Sequence, residues 1–127
     1  MILEDEVSLS DLISPEEIFR LHPKIRWAAF STQDGKVTFS EMRPGVTSYT
    51  SEREDRSFME FGPHVMSGIA ERLSMTGGAG KLESLIVNLE KDSVLLTPVG
   101  TGYLAISVNR ADSPDVFKEI EPMIRRL

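Results

Sequence analysis

A chain of 127 residues, 40% apolar and 27% charged, has the size and balance of one globular domain around one core. Its net charge of −6 opposes a general electrostatic grip on nucleic acid or anionic lipid, and the absence of cysteine excludes disulfides, thiolate metal sites and thiol nucleophiles. No apolar run approaches the ~20 residues of a membrane-spanning helix, and the acidic start has no Lys or Arg before Arg20, so a secretory signal is not expected. A cytoplasmic protein without nucleic-acid or membrane partners is the expectation.

Residues 1–13 read as an acidic N-terminal arm carrying Ile2, Leu3, Val7, Leu9, Leu12 and Ile13. Such an arm either lies on its own domain or docks on a partner. A single domain is expected over 14–127. It opens with a short helix: Ser14 can cap, Pro15 suits the first helical position, and Glu17 completes a capping box. Pro23 ends it by disfavouring helical geometry at His22. Ile25–Thr32 then reads as a strand, Gln33-Asp34-Gly35-Lys36 as a primed hairpin turn, and Lys36–Met42 as the return strand, with Val37 and Phe39 alternating with polar neighbours.

Arg43–Arg56 is a polar link. From about Glu54 to Met75, Phe58, Phe61, Val65, Met66, Ile69 and Leu73 recur at helical spacing. Gly62-Pro63 predicts a kink or two abutting helices, and the glycines at 77, 78 and 80 predict the end. The most regular signal follows, LESLIVNLEKDSVLLTPVGTGYLAISV over residues 82–108, which reads as a three-stranded meander. The continuous triplets Leu85-Ile86-Val87 and Val94-Leu95-Leu96 suggest a sheet covered on both faces. Pro98 is expected at a strand end or bulge. Ser113-Pro114 repeats the earlier cap-plus-proline start, and Val116, Phe117, Ile120, Ile124 and Leu127 form the stripe of a last helix that Pro122 should bend.

No catalytic constellation stands out. Gly77–Lys81 lacks the first glycine and the hydroxyl of a phosphate-binding loop, and it has a helix before and a strand after, the reverse of that motif's order. His22 and His64 are far apart, with no neighbouring cysteine or histidine to complete a metal or base site. No nucleophile motif or paired-acid arrangement can be picked out. Neither an enzyme nor a cofactor is expected. Arg43, Arg53 and Arg56 surround the central loop and offer a docking surface for an acidic partner, although a solvated mixed-charge loop would look the same. Apolar residues on more than one side of the central helix suggest that the surplus is buried against another chain.

The element order, together with VLLTPVGTGYLAISV and the hairpin around Asp34-Gly35-Lys36-Val37, resembles the roadblock/dynein-light-chain family. The stretch DGKVTFSEMRPG is also similar to uncharacterised archaeal domains of this group. The resemblance implies an α+β, profilin-like α-β-β-α-β-β-β-α domain. Its five-stranded antiparallel sheet would have the order 2-1-5-4-3, with helices on both faces. It implies a homodimer made by third strands meeting edge to edge and central helices packing together. Mapped on this chain, that interface draws on Val65, Met66, Ile69, Leu73, Leu85, Val87 and Leu89. Family members commonly act as non-enzymatic adaptors or as regulators of small Ras-like GTPases. A second reading is a small-molecule sensor that uses the same sheet as a pocket wall, lined by Trp27, Phe30 and Tyr103.

Overall fold

The computed structural model describes residues 13–127. The sequence runs through α1 (Pro15–Phe19), β1 (Trp27–Ser31), β2 (Val37–Met42), α2 (Glu52–Leu73), β3 (Leu85–Asn88), β4 (Asp92–Val99), β5 (Gly102–Asn109), a 3-10 turn (Arg110–Asp112) and α3 (Ser113–Ile124). The strands make one antiparallel sheet in the order β2-β1-β5-β4-β3, as expected. Alternation along the inner strands feeds two separate cores. Ala28, Phe30, Leu104, Ile106 and Val108 face α1 and α3, where Ile18, Phe117, Ile120 and Ile124 meet them. Trp27, Ala29, Val94, Leu96 and Ala105 face α2 and pack with Met59 and Met66. Helices therefore cover both faces.

The acidic arm falls almost wholly outside the described residues; Ile13 is inside them and is buried in the α1/α3 core. Ser14 caps α1 by accepting the Glu17 N–H at 3.3 Å. The Glu17 carboxylate takes the Ser14 hydroxyl rather than a backbone donor. The primed turn expected at Asp34-Gly35 is replaced by a three-residue loop. Gly35 N–H donates to Thr32 O (3.0 Å), Thr32 N–H donates to Lys36 O (2.8 Å), and Gly35 adopts φ 92°. A left-handed residue after a tight turn is the usual partner of a bulge, and the β1–β2 register shifts between Phe30 and Ser31.

α2 is one helix through Gly62 and Pro63, not two. It starts with a full capping box, in which Ser51 and Glu54 satisfy each other's backbone N–H groups. Gly62 is needed for close approach, because a Cβ there would lie 2.9 Å from Leu96 Cδ2. The buried side of α2 is Met59, Gly62, Pro63 and Met66. β3 departs from the expectation of cover on both faces: Leu85 and Val87 are half-buried, whereas Ile86 and Asn88 are exposed. Among the described residues it is an edge strand of four residues with a single neighbour, and nothing described pairs with its outer side. β4 does have its Val94-Leu95-Leu96 triplet buried on both sides. Pro98 lies beyond the last β3 partner, Leu96, where its missing N–H costs the β3 ladder nothing. Ser113 does not cap α3. It is the buried first residue of the helix, after Asp112, which makes no side-chain cap. Leu127 falls beyond α3 and is exposed.

Candidate functional site

The dimer-interface residues inferred from the resemblance divide into three groups. Met66 is only 2% exposed and belongs to the core beneath α2, so the chain's own sheet already occupies it. Val65, Ile69, Leu85 and Val87 are half-buried. Leu73 and Leu89 are exposed, at 63% and 47%. Phe61, from the same apolar stripe, is 67% exposed. The glycine and proline side of α2 is pressed to the sheet, so Phe61, Val65, Ile69 and Leu73 run along the outer part of the helix. The end of α2 that carries Phe58 lies near Val87 and Leu89, and Leu73 shares a surface depression with Leu82, just before β3. The far end of the strip, at Leu73, therefore lies near the approach to β3.

The three arginines do not come together. Arg43 is half-buried, and its guanidinium donates to the backbone oxygens of Ile25, Phe19 and His22, each at 2.7 Å. It also lies 5.1 Å from the centroid of the Phe19 ring. It ties the α1 turn to the start of β1 and is not available to a partner. Arg53 and Arg56 are exposed on the first turns of α2 and share a shallow groove with Val37–Ser40 of β2, the other edge of the sheet.

The aromatic trio is also divided. Trp27 and Phe30 point to opposite faces of the sheet, because they lie three positions apart on a strand of period two. Tyr103 is half-buried against α2, with its hydroxyl 3.3 Å from Ser67 Oγ. Of the three, Trp27 borders a well-defined cavity. That cavity holds about 230 Å3 between the start of α2, the loop before it and the sheet. Its apolar wall includes Trp27, Met42, Phe58, Val87 and Val94, and its polar side includes Arg26, Tyr49, Asp55 and Asp92. Trp27 is held by its indole N–H donating to Ser40 Oγ at 3.0 Å and by an edge contact with Phe58 at 6.4 Å. Arg26 donates to Thr47 O at 2.7 Å and lies 4.2 Å from the centre of the Tyr49 ring.

Burial pushes the Asp55 carboxyl above its usual range, against the hydrogen bond from Thr50, and nearby Glu54, Asp92 and Glu52 push the same way. Burial also raises Asp92, with the Arg26 charge opposing it. Two carboxyls that are harder to ionise than usual thus share one side of an apolar cavity.

The sequence matches no protein-family model and no curated protein. Solved structures do match. The roadblock/LC7 domain from Streptomyces avermitilis aligns with a TM-score of 0.64 at 15% identity, covering 87% of this chain and 88% of that one. The gliding protein MglB from Thermus thermophilus aligns at 0.62 and 12%, covering 87% and 82%. Myxococcus xanthus MglB aligns at 0.60 and 14%, covering 84% and 80%. This chain has the roadblock/LC7 fold. At such identities it is the fold, and not the chemistry, that is shared.

On this roadblock/LC7 fold, Phe61, Tyr49, Asp55 and Asp92 are the site residues that the sequence did not single out. Phe61 was in the α2 stripe, but its outward position follows from the burial of Gly62. Asp55 and Asp92 lie on different elements, and no spacing rule links them. Among the described residues no group of three or more His, Asp or Glu is arranged to hold a metal ion, and no helix is long and apolar enough to cross a membrane.

Proposed function

We propose that the protein is a non-enzymatic, cytoplasmic interaction module that works as a homodimer and serves as adaptor for, or regulator of, a small Ras-like GTPase. One observation carries the self-association: β3 is an edge strand with a single neighbour among the described residues, and the apolar stripe of α2 leaves Phe61 and Leu73 exposed. An unpaired edge strand is a template for another strand, and a two-fold axis lets one strand complete its own copy. Such pairing would extend the sheet, cover Leu85, Val87 and Leu89, and bring the two α2 strips together. The roadblock/LC7 fold supports this reading, and one solved MglB structure is described as having a tetrameric arrangement. Arg53 and Arg56, beside the opposite edge strand β2, would remain free for the GTPase or another acidic partner.

Sedimentation velocity at micromolar concentration tests the dimer. The unaltered chain is expected at twice its monomer mass. The double variant Phe61→Glu/Leu73→Glu is expected to sediment as a monomer with an unchanged circular dichroism spectrum, since both side chains already face water. A monomer at every concentration of the unaltered chain would refute the reading. For the GTPase, affinity capture from native cytosol should retain a small GTPase, and Arg53→Glu/Arg56→Glu should release it.

A further inference from the structure

The cavity beside Tyr49 is lined by residues of one chain, among them Val87 and Leu89, which the proposed homodimer would also cover. Four charged groups line it: Arg26, Glu54, Asp55 and Asp92. Arg26 is committed to Thr47 O and the Tyr49 ring. The Glu54 carboxylate closes the capping box of α2. Asp55 accepts the Thr50 hydroxyl at 2.5 Å. Asp92 is half-buried, and among the described residues its carboxylate accepts no hydrogen bond. Three acids against one base leave the lining anionic, and Asp92, although it feels the Arg26 charge, is the acid without a side-chain hydrogen bond among the described residues.

We propose that this cavity binds a small organic amine, with its ammonium at Asp92 and Asp55 and its apolar body against Trp27, Phe58 and Val94. Each alternative ligand class meets a physical objection. A wholly apolar molecule would strip water from Asp92 without replacing the lost hydrogen bonds. An anion would face three carboxylates. A bare cation would leave the apolar wall unfilled. An ammonium offers three donors and a second positive charge beside Arg26, and an attached hydrocarbon or ring removes the wall from water. Burial raises the proton affinity of both acids, so each carboxylate sits short of the water that would solvate its charge, which an ammonium's donors would replace. The volume of about 230 Å3 exceeds the roughly 150 Å3 that encloses a benzene and falls short of the usual drug-sized pocket. The ligand is therefore on the order of ten heavy atoms.

Trp27 is the only tryptophan in the chain, so its fluorescence reports the cavity directly. The probe is 2-phenylethylamine, set against the uncharged 2-phenylethanol and the anionic 3-phenylpropanoate, with calorimetry in parallel. Saturable quenching or enhancement is expected with the amine, with the alcohol about tenfold weaker and the carboxylate silent. Asp92→Asn should weaken the amine about tenfold and leave the alcohol unchanged, while Glu90→Gln, an exposed neighbour outside the cavity, should change neither. Acidification should weaken the amine as Asp92 and Asp55 take up protons. Glu54 faces the same space, Glu52 acts on Asp55, Arg26 acts on Asp92, and Arg26 and Lys91 both lie against the Tyr49 ring. Equal response to all three probes, an undiminished amine affinity in Asp92→Asn, or no saturable amine binding would each overturn the proposal. Sedimentation of the same samples separates this result from the homodimer reading, because a monomer that binds the amine, or a dimer that does not, fails only one of the two.

Discussion

The two faces of the sheet are built from the same strands and come out differently. On the α1/α3 face, Phe30, Leu104, Ile106 and Val108 meet Ile18, Phe117, Ile120 and Ile124, all at 3% exposure or less. On the α2 face the fully buried residues are fewer, and Phe58, Met42, Leu85 and Tyr103 are only half-buried around them. The cavity, the raised carboxyls and the outward strip of α2 all belong to this second side. A closed face supplies stability, and a face left partly open can accept a partner or a ligand, at a cost in local cohesion.

Paired truncations sharpen that contrast. Phe117→Ala, at 1% exposure, should cost about 3–5 kcal/mol in denaturant unfolding. Phe58→Ala, a ring that already borders the cavity, should cost about 1–2 kcal/mol. Equal losses would mean that the two faces are equally packed, and the contrast would fail. Ser51→Ala removes the capping box that fixes the start of α2 at the cavity mouth and should cost about 1 kcal/mol, with extra hydrogen exchange in the first turn of the helix. The smallest effect has the opposite sign. The folded carboxyl of Asp92 is raised above 3.8, so the native state holds its proton to higher pH than the unfolded chain does. Stability linked to this group is present below 3.8 and is lost as pH rises through the raised value. Asp92→Asn should therefore raise Tm slightly at neutral pH, with the gain fading on acidification. A drop in Tm at neutral pH would show that the charge is needed where it is.

Much of the architecture is legible in short stretches. The inner strands β4 and β5 could be read because both of their faces are apolar or alternate cleanly, and the helix starts because Ser14-Pro15 and the α2 periodicity are local signals. The strand order came from resemblance rather than from periodicity. Apart from the local misreadings of the Asp34-Gly35 turn and the Ser113 cap, the errors share one cause, which is dependence on a distant neighbour. Leu85-Ile86-Val87 reads like a covered strand, yet Ile86 stays exposed, facing a groove beside α3. Arg43 reads like loop charge, yet the carbonyls of Phe19, His22 and Ile25 take its donors. Trp27 and Phe30 read like one pocket, and the pleat sends them apart.

The sequence by itself determined the kinds of element, their order and the apolar content of each, because capping, turn chemistry and periodicity act over a few residues. Only the tertiary structure decided which side of α2 faces inward, because that depends on Gly62 letting the helix settle against Leu96, a contact 34 residues away along the chain. The same packing turned Phe61 outward, left β3 with one neighbour, and gathered Trp27, Asp55 and Asp92 around one cavity. Burial and charge at a site are sums over everything that packs there, and no local stretch of sequence contains that sum.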